Sequence, residues 1–172
     1  MRLYLSPTSP FARKVKAALI EKNLFGSVEE VRVDPWQSPA ELVAVNPMSQ
    51  VPTLVTDDGT ALGNSDMIIQ WLERTWPEPA LLPRSSAELA RVLSVAGLAH
   101  GVIESVVCVV IERRKPREQQ NEAMIARRLQ GIERVLGVVE ERFDASRERF
   151  QLDGLNLACA LEYVDLREPE FD

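Results

Sequence analysis

The sequence predicts an α/β unit with a mixed four-stranded sheet, followed by an all-α unit. Short strand-like runs alternate with helix-like runs over the first 76 residues. Beyond Trp76, apolar residues recur only at three- and four-residue steps, and the proline-rich stretch "PEPALLPRSS" separates the two patterns. We therefore assign residues 1–76 to an α/β domain, 77–84 to a linker and 85–172 to an all-helical domain.

The first strand leads into the first helix through a hydroxyl-rich turn. Polar and apolar residues alternate from Arg2 to Leu5, and the turn-forming sequence "SPTSP" follows. Pro10 suits the first position of a helix because its missing N–H is not needed there, and Ser9 before it is a natural N-cap. The apolar stripe of this helix consists of Phe11, Val15, Ala18 and Leu19.

Later segments complete the predicted sheet. "VEEVRV" has strand propensity, and "SPAE" predicts a capping box that opens a short helix toward Val45. A strand from Thr53 to Thr56, a "DDG" reversal and a second short strand before Gly63 follow. "NSDMIIQWLERTW" then predicts a helix with Ser65 as its N-cap. The first crossover implies a parallel strand pair and the "DDG" turn an antiparallel pair, so the sheet is mixed.

The second domain begins with a long apolar helix. Ser85 and Glu88 form a second capping box, and segment 92–111 is long enough to span a bilayer. Because His100 and Glu104 lie at its centre, where lipid makes titratable groups costly, we interpret it as a buried core helix. A second stripe predicts an antiparallel partner helix; its members are Ile125, Leu129, Ile132, Leu136, Val139 and Phe143.

Composition and charge exclude several classes of function. The chain of 172 residues carries a formal net charge of −6, which argues against a nucleic-acid binder. Cys108 and Cys159 lack CxxC spacing and a histidine-rich neighbourhood, so we expect reduced thiols and no metal site. The first residues lack the uninterrupted apolar core of a secretory signal, which predicts a cytoplasmic protein without a membrane partner.

Three motifs, "SPF", "NPMSQVPTL" and "NSDMIIQWL", occur in the order and at about the spacing of the glutathione transferase family, which the chain resembles. Within that family it is most similar to bacterial members with an active serine and to the tau and zeta classes. The resemblance implies a thioredoxin-like first domain that binds glutathione as co-substrate, with no metal. It also implies a small, hydrophobic electrophile as second substrate, and a homodimer.

The resemblance places the catalytic role on Ser9, the residue immediately before the first helix. A free thiol with a pKa of about 8.5 is only about 3% ionised at pH 7, so the site must stabilise the thiolate. A hydroxyl donor and the unpaired N–H groups of a helix N-terminus both do so. Lowering the thiol pKa by two units requires about 2.7 kcal/mol. The simpler alternative is that Ser9 only caps the helix; Ser6 is the fallback for the catalytic role.

The other motifs supply the predicted glutathione-binding residues. In the family the proline of "QVPTL" is cis, so Pro52 is predicted to be cis, and the backbone of Val51 pairs with the cysteinyl backbone of the tripeptide. Gln50 is expected at the glycyl carboxylate. Ser65 and the N-terminus of its helix bind the γ-glutamyl carboxylate. The predicted set is completed by Phe11 and Asn64.

Departures from the family pattern keep other functions open. Asn64 stands where relatives carry an acid, which predicts glutathione binding weaker by about 1 kcal/mol, with Asp66 as a possible replacement charge. Asn156 is expected to cap a helix at "GLNLA", with Cys159 in the usual acidic position, and the helical domain is expected to be shortened. The alternatives are a non-catalytic binding or regulatory protein and a glutathione-dependent isomerase, although "SPF" lacks the serine and cysteine cluster of the isomerases.

Overall fold

The computed structural model describes residues 1–146 and 150–168, and the chain forms two compact units, Met1–Leu81 and Leu82–Asp172. The first unit alternates strands and helices as the sequence predicts. Its elements are β1 (Arg2–Leu5), α1 (Pro10–Glu21), β2 (Glu29–Arg32), α2 (Ala40–Val45), β3 (Thr53–Val55), β4 (Ala61–Gly63) and α3 (Ser65–Thr75), with 3-10 turns at Phe25–Ser27 and Pro35–Gln37.

The four strands form one mixed sheet in the order β2-β1-β3-β4, which confirms the predicted class. β1 and β2 are parallel, whereas the β1–β3 and β3–β4 pairs are antiparallel. In this register Tyr4 lies opposite Thr53, and Thr53 lies opposite Gly63. The same end of the sheet therefore contains the ends of β1, β2 and β4 and the beginning of β3. We call it the loop end.

The two faces of the sheet are covered by different helices. Tyr4, Val55 and Leu42 form a buried cluster on the face that carries α2. Leu3 and Leu54 are fully buried and point to the opposite face, because successive strand residues alternate in direction. α1 and α3 pack together on that second face.

Two buried lysines join α1 to α3. The side chain of Lys14 is 0% exposed, and its Nζ lies 2.6 Å from Oδ1 of Asp66 in the first turn of α3. Lys22, also buried, lies 2.5 Å from Oε1 of Glu73 and donates to the carbonyl of Trp76. A buried ammonium is costly unless it is paired, so these contacts restrict how α1 and α3 can be placed.

Several predicted helix starts differ from the observed ones. Ser38 has a φ of 44° and ends the 3-10 turn, so the residue before α2 is Pro39 and the capping box is absent. α3 is capped by Asn64, whose side chain accepts from the Asp66 N–H, and Ser65 is already helical. Asn adopts the positive φ of this position, 65°, more readily than serine does. Ser85 does precede its helix but makes no side-chain capping bond.

The second unit is helical. It contains α4 (Ser86–Glu112), α5 (Glu122–Arg142) and α6 (Leu152–Arg167), with a 3-10 turn at Arg117–Gln119. α4 packs against both α5 and α6. By length and composition alone α4 is able to cross a membrane, but a core helix passes the same test.

The predicted cap at Asn156 is wrong. α6 begins at Leu152, so Asn156 lies inside the helix, and its Nδ2 donates to the Ala96 carbonyl of α4 at 3.0 Å. The side chain of Asn156 is buried in this contact between helices. A tertiary hydrogen bond, rather than a helix start, explains why an amide stands here.

The pairing of Lys14 predicts that Asp66→Asn destabilises the first unit. The substitution keeps the size of the side chain but leaves a buried ammonium without its carboxylate, which should lower the free energy of unfolding by about 3 kcal/mol. Denaturant unfolding measures the change.

Asp57→Asn is the matched control, because Asp57 pairs with the N-terminal ammonium but is 87% exposed. That substitution should change the free energy of unfolding by less than about 1 kcal/mol. Equal losses in the two variants would contradict the role assigned to the buried pair.

Candidate functional site

The loop end of the sheet brings together the three motifs singled out in the sequence. The turn 6–9 follows β1, residues 50–52 precede β3, and residues 64–65 follow β4. Because neighbouring strands lie about 4.8 Å apart, these connections are next to one another in space. Ser9, Val51 and Asn64, which are far apart in the sequence, therefore share one end of the sheet.

Ser9 lies at the N-terminus of α1 with extended backbone, φ −80° and ψ 117°. Its Oγ accepts a hydrogen bond from the Ala12 N–H at 3.2 Å, so the capping role exists. This bond uses a lone pair of the oxygen and leaves the hydroxyl hydrogen able to donate. The Ser9 hydroxyl can therefore cap α1 and donate a hydrogen bond to an anion at the same time.

The remaining turn residues have a structural role. The carbonyl of Ser6 accepts from the Ser9 N–H at 3.0 Å, which closes the turn between β1 and α1. Pro10 occupies the first helical position. Phe11, partly buried, stands in the first turn of α1.

The peptide bond between Val51 and Pro52 is cis, which confirms that prediction. Val51 lies two residues before β3. Within residues 1–146 and 150–168, no group hydrogen-bonds to the N–H or the carbonyl of Val51. This backbone is consequently able to pair with an extended ligand in the manner of an added strand.

Asn46 holds the loop before β3, a role that the sequence analysis missed. Its Nδ2 donates to Oγ1 of Thr53 at 2.8 Å and to the carbonyl of Gln50 at 3.1 Å. Thr53, fully buried, donates to the same Gln50 carbonyl at 2.8 Å. The Asn46 carbonyl oxygen of the side chain accepts from the Met48 N–H. The sequence does contain a signal for this role, because the Asn-Pro pair at 46–47 favours a turn that begins with an asparagine side chain.

The N-terminus of α3 forms the opposite side of the site. Asn64 caps the helix, and Ser65 at its first position is 2% exposed. The Asp66 carboxylate, considered as a replacement for the missing acid, is engaged by Lys14. Its charge is thus largely balanced within the fold.

Exposed residues border the site next to Val51. The side chain of Gln50 is exposed, and Trp36 in the 3-10 turn after β2 is 60% exposed. Oγ of Ser49 donates to the Pro35 carbonyl at 3.1 Å, which ties the loop before β3 to that turn. Gln50 and Trp36 therefore belong to neighbouring parts of the loop end.

In the part of the chain that the structure describes, no group of three or more His, Cys, Asp or Glu residues is placed to hold a metal ion. His100, on α4, lies 3.6 Å from Oε1 of Glu104, four residues later on the same helix. Cys108 and Cys159 do not form a disulfide.

Sequence comparison identifies the family. The profile of the glutathione S-transferase N-terminal domain matches residues 3–80. The uncharacterized GST-like protein YibF of Escherichia coli is 32% identical over 170 residues, covering 97% of this chain and 83% of that protein. The chain belongs to the glutathione transferase family.

Two crystal structures of bacterial glutathione transferases are similar throughout. One from Methylobacterium radiotolerans, in complex with glutathione sulfonate, has a TM-score of 0.92 and 30% identity, covering 99% of this chain and 82% of that one. A family member from Pseudomonas fluorescens with bound glutathione has a TM-score of 0.91 and 30% identity, covering 98% and 84%. Both similar proteins hold the ligand class that the motifs imply.

The contacts of Asn46 predict that Asn46→Ala loosens the loop before β3. The buried Thr53 hydroxyl loses the N–H that donates to it, and the Gln50 carbonyl keeps only the Thr53 hydroxyl as a donor. The free energy of unfolding should therefore fall by about 1–2 kcal/mol. Amide hydrogen exchange should rise at residues 48–51 in particular.

Gln70→Ala, at an exposed position of α3, serves as the control and should leave both quantities unchanged. If hydrogen exchange at 48–51 were the same in both variants, Asn46 would not be the residue that holds this loop.

Proposed function

We propose that this protein is a glutathione transferase that binds glutathione as its thiolate against Ser9 and transfers the glutathionyl group, through its sulfur, to an electrophilic carbon. The observation that carries the proposal is the position of the Ser9 hydroxyl. It lies at the N-terminus of α1, at the same end of the sheet as the backbone of Val51. Glutathione bound in two similar family members supports the choice of thiol.

Ser9 and α1 supply the stabilisation that the thiolate needs. Hydrogen bonds to charged groups contribute about 1.5–3 kcal/mol, and a helix N-terminus adds about 0.3–1 kcal/mol. Together they approach the roughly 2.7 kcal/mol that lowers a thiol pKa by two units. The first turn of α1 carries no acidic residue that would oppose an anion. The site thus favours the charged form of the sulfur.

The chemical step uses the thiolate as the nucleophile. Its lone pair forms a carbon–sulfur bond with the electrophile, and the leaving group departs with the electron pair of the broken bond. The thiol proton goes to solvent when glutathione ionises, before the attack. No group on the protein has to become covalently attached, so the role of Ser9 is to lower the energy of the anion.

The rest of the tripeptide is placed by the other two motifs. The cysteinyl backbone pairs with the N–H and carbonyl of Val51, beside the cis Pro52. The γ-glutamyl carboxylate lies against Ser65 and the N–H groups at the start of α3, with Asn64 near the amino group. Gln50 faces the glycyl end, and Phe11 lies beside the sulfur in the first turn of α1.

The second substrate and the assembly belong to the same proposal. The resemblance to the family implies that the electrophile is a small, hydrophobic molecule. We assign the protein to the cytoplasm, where thiols stay reduced, as a homodimer.

Ser9→Ala tests the proposal. The variant loses the hydrogen bond to the thiolate, so kcat/KM for a generic aromatic halide should fall by about 10- to 100-fold at pH 7. The pKa of bound glutathione, followed by the ultraviolet absorbance of the thiolate, should rise toward its value in free solution. Ser9→Thr keeps the hydroxyl and should retain most of the effect.

The loss of a helix cap is controlled separately. Asn121→Ala removes the side-chain cap of α5, a cost of about 1 kcal/mol that matches the cap lost with Ser9. The Asn121→Ala variant should leave the pKa of the bound glutathione thiol unchanged. Glutathione bound with an unshifted thiol pKa, equally in wild type and Ser9→Ala, would overturn the catalytic proposal and favour a non-catalytic binding protein.

Asn64→Asp should strengthen glutathione binding. Asp accepts the Asp66 N–H as Asn64 does and tolerates the same positive φ, so the cap remains, while a charge is added near the amino group of the ligand. The dissociation constant measured by calorimetry should fall about fivefold, or about 1 kcal/mol. An unchanged constant would place the amino group elsewhere.

A further inference from the structure

The turn between β1 and α1 carries hydrogen-bond donors in addition to the Ser9 hydroxyl. The Ser9 N–H donates to the Ser6 carbonyl at 3.0 Å, so Pro7 and Thr8 are the central residues of a closed turn. Proline has no N–H, and the N–H of the second central residue takes no part in closing a turn of this kind. Thr8 therefore presents both its backbone N–H and its side-chain O–H.

These two donors of Thr8 have no partner within the fold. Thr8 is exposed, and neither its N–H nor its hydroxyl forms a hydrogen bond with any residue that the structure describes. The next donors along α1 are used, because the Ala12 N–H donates to Oγ of Ser9 at 3.2 Å and the Arg13 N–H to the Ser9 carbonyl at 3.0 Å. Thr8 thus supplies open donors directly before the residue assigned to the sulfur.

A pair of donors on one residue suits an oxygen that gains negative charge during a reaction. Backbone N–H groups and side-chain hydroxyls are the donors that stabilise developing oxyanions in enzymes. The Cα atoms of Thr8 and Ser9 are about 3.8 Å apart, so an oxygen bound by Thr8 lies close to a sulfur held by Ser9. An electrophile benefits from these donors only if attack at its carbon places charge on a nearby oxygen.

We propose that the second substrate is an α,β-unsaturated carbonyl compound and that Thr8 binds its carbonyl oxygen. The thiolate lone pair forms a bond to the β-carbon, the C=C π pair moves to the bond between the α-carbon and the carbonyl carbon, and the carbonyl π pair moves to oxygen. The resulting enolate takes a proton from solvent at the α-carbon, so no group leaves. Thr8 stabilises the charged oxygen. The inference rests on the proposed function, because Ser9 holds the sulfur, and it adds the class of electrophile.

Thr8→Val tests the inference, because valine has the shape of threonine without the hydroxyl. In the full chain, kcat/KM for the enone benzalacetone should fall at least about tenfold. Benzyl chloride is the reference electrophile, since its reaction places charge on the departing chloride, and its kcat/KM should change less than about twofold. The pKa of the bound glutathione thiol should stay the same. Thr8→Ser keeps a hydroxyl and should retain most of the enone activity.

Thr60→Val is the control, because it removes a hydroxyl from the exposed turn at the opposite end of the sheet and should change neither rate. Equal effects of Thr8→Val on the two electrophiles, including none, or a raised thiol pKa would overturn the inference. So would a Thr8→Ser variant as slow as Thr8→Val. A wild type that turns over benzyl chloride but not the enone would overturn it and leave the proposed function standing. If neither electrophile reacts and the thiol pKa is not lowered, the proposed function fails as well.

Discussion

The contact between Lys14 and Asp66 is the constraint on which the candidate site depends. An ammonium group with no exposed surface needs a carboxylate beside it, and here the carboxylate comes from the first turn of another helix. α1 and α3 are thereby held at their starting ends. Those ends carry Ser9 and Ser65, so this ion pair, with its buried ammonium, ties together the two helices whose N-termini lie at the loop end.

The sheet register supplies the third side of the site. The pairing of Tyr4 with Thr53 places the beginning of β3 beside the end of β1. Asn46 then secures the loop before β3 through Thr53 and Gln50. Ser9, Asn46 and Asn64, which have local structural roles, therefore also border the candidate site. Capping and loop closure require polar side chains at these points, and the same polarity is available to a ligand.

Charge is distributed unevenly over the first unit. Its buried lysines neutralise carboxylates inside the fold, whereas Ser9, Val51 and Asn64, which the three motifs bring to the loop end, offer a hydroxyl, backbone groups and an amide. Such neutral donors stabilise an anion through orientation rather than net charge. A thiolate at the N-terminus of α1 matches this environment, since a single localised charge benefits most from a few fixed donors.

The sequence by itself determined the fold class, the mixed sheet and the family, because periodicity, turn residues and three short motifs are local properties. It also predicted the cis bond before Pro52, through the resemblance of "QVPTL". It misplaced the caps at Ser38, Ser65 and Asn156, since a polar residue near a helix start can cap, turn or reach across to another helix. At Ser38 and Asn64 the left-handed backbone of the folded chain decided which residue begins the helix. Tertiary contacts decided the partners of three other side chains. The partner of Asn156 is a carbonyl on α4, the partner of Asp66 is a lysine on α1, and the partners of Asn46 lie across the loop. Contacts between distant segments depend on packing, and no local pattern encodes which group a side chain will meet.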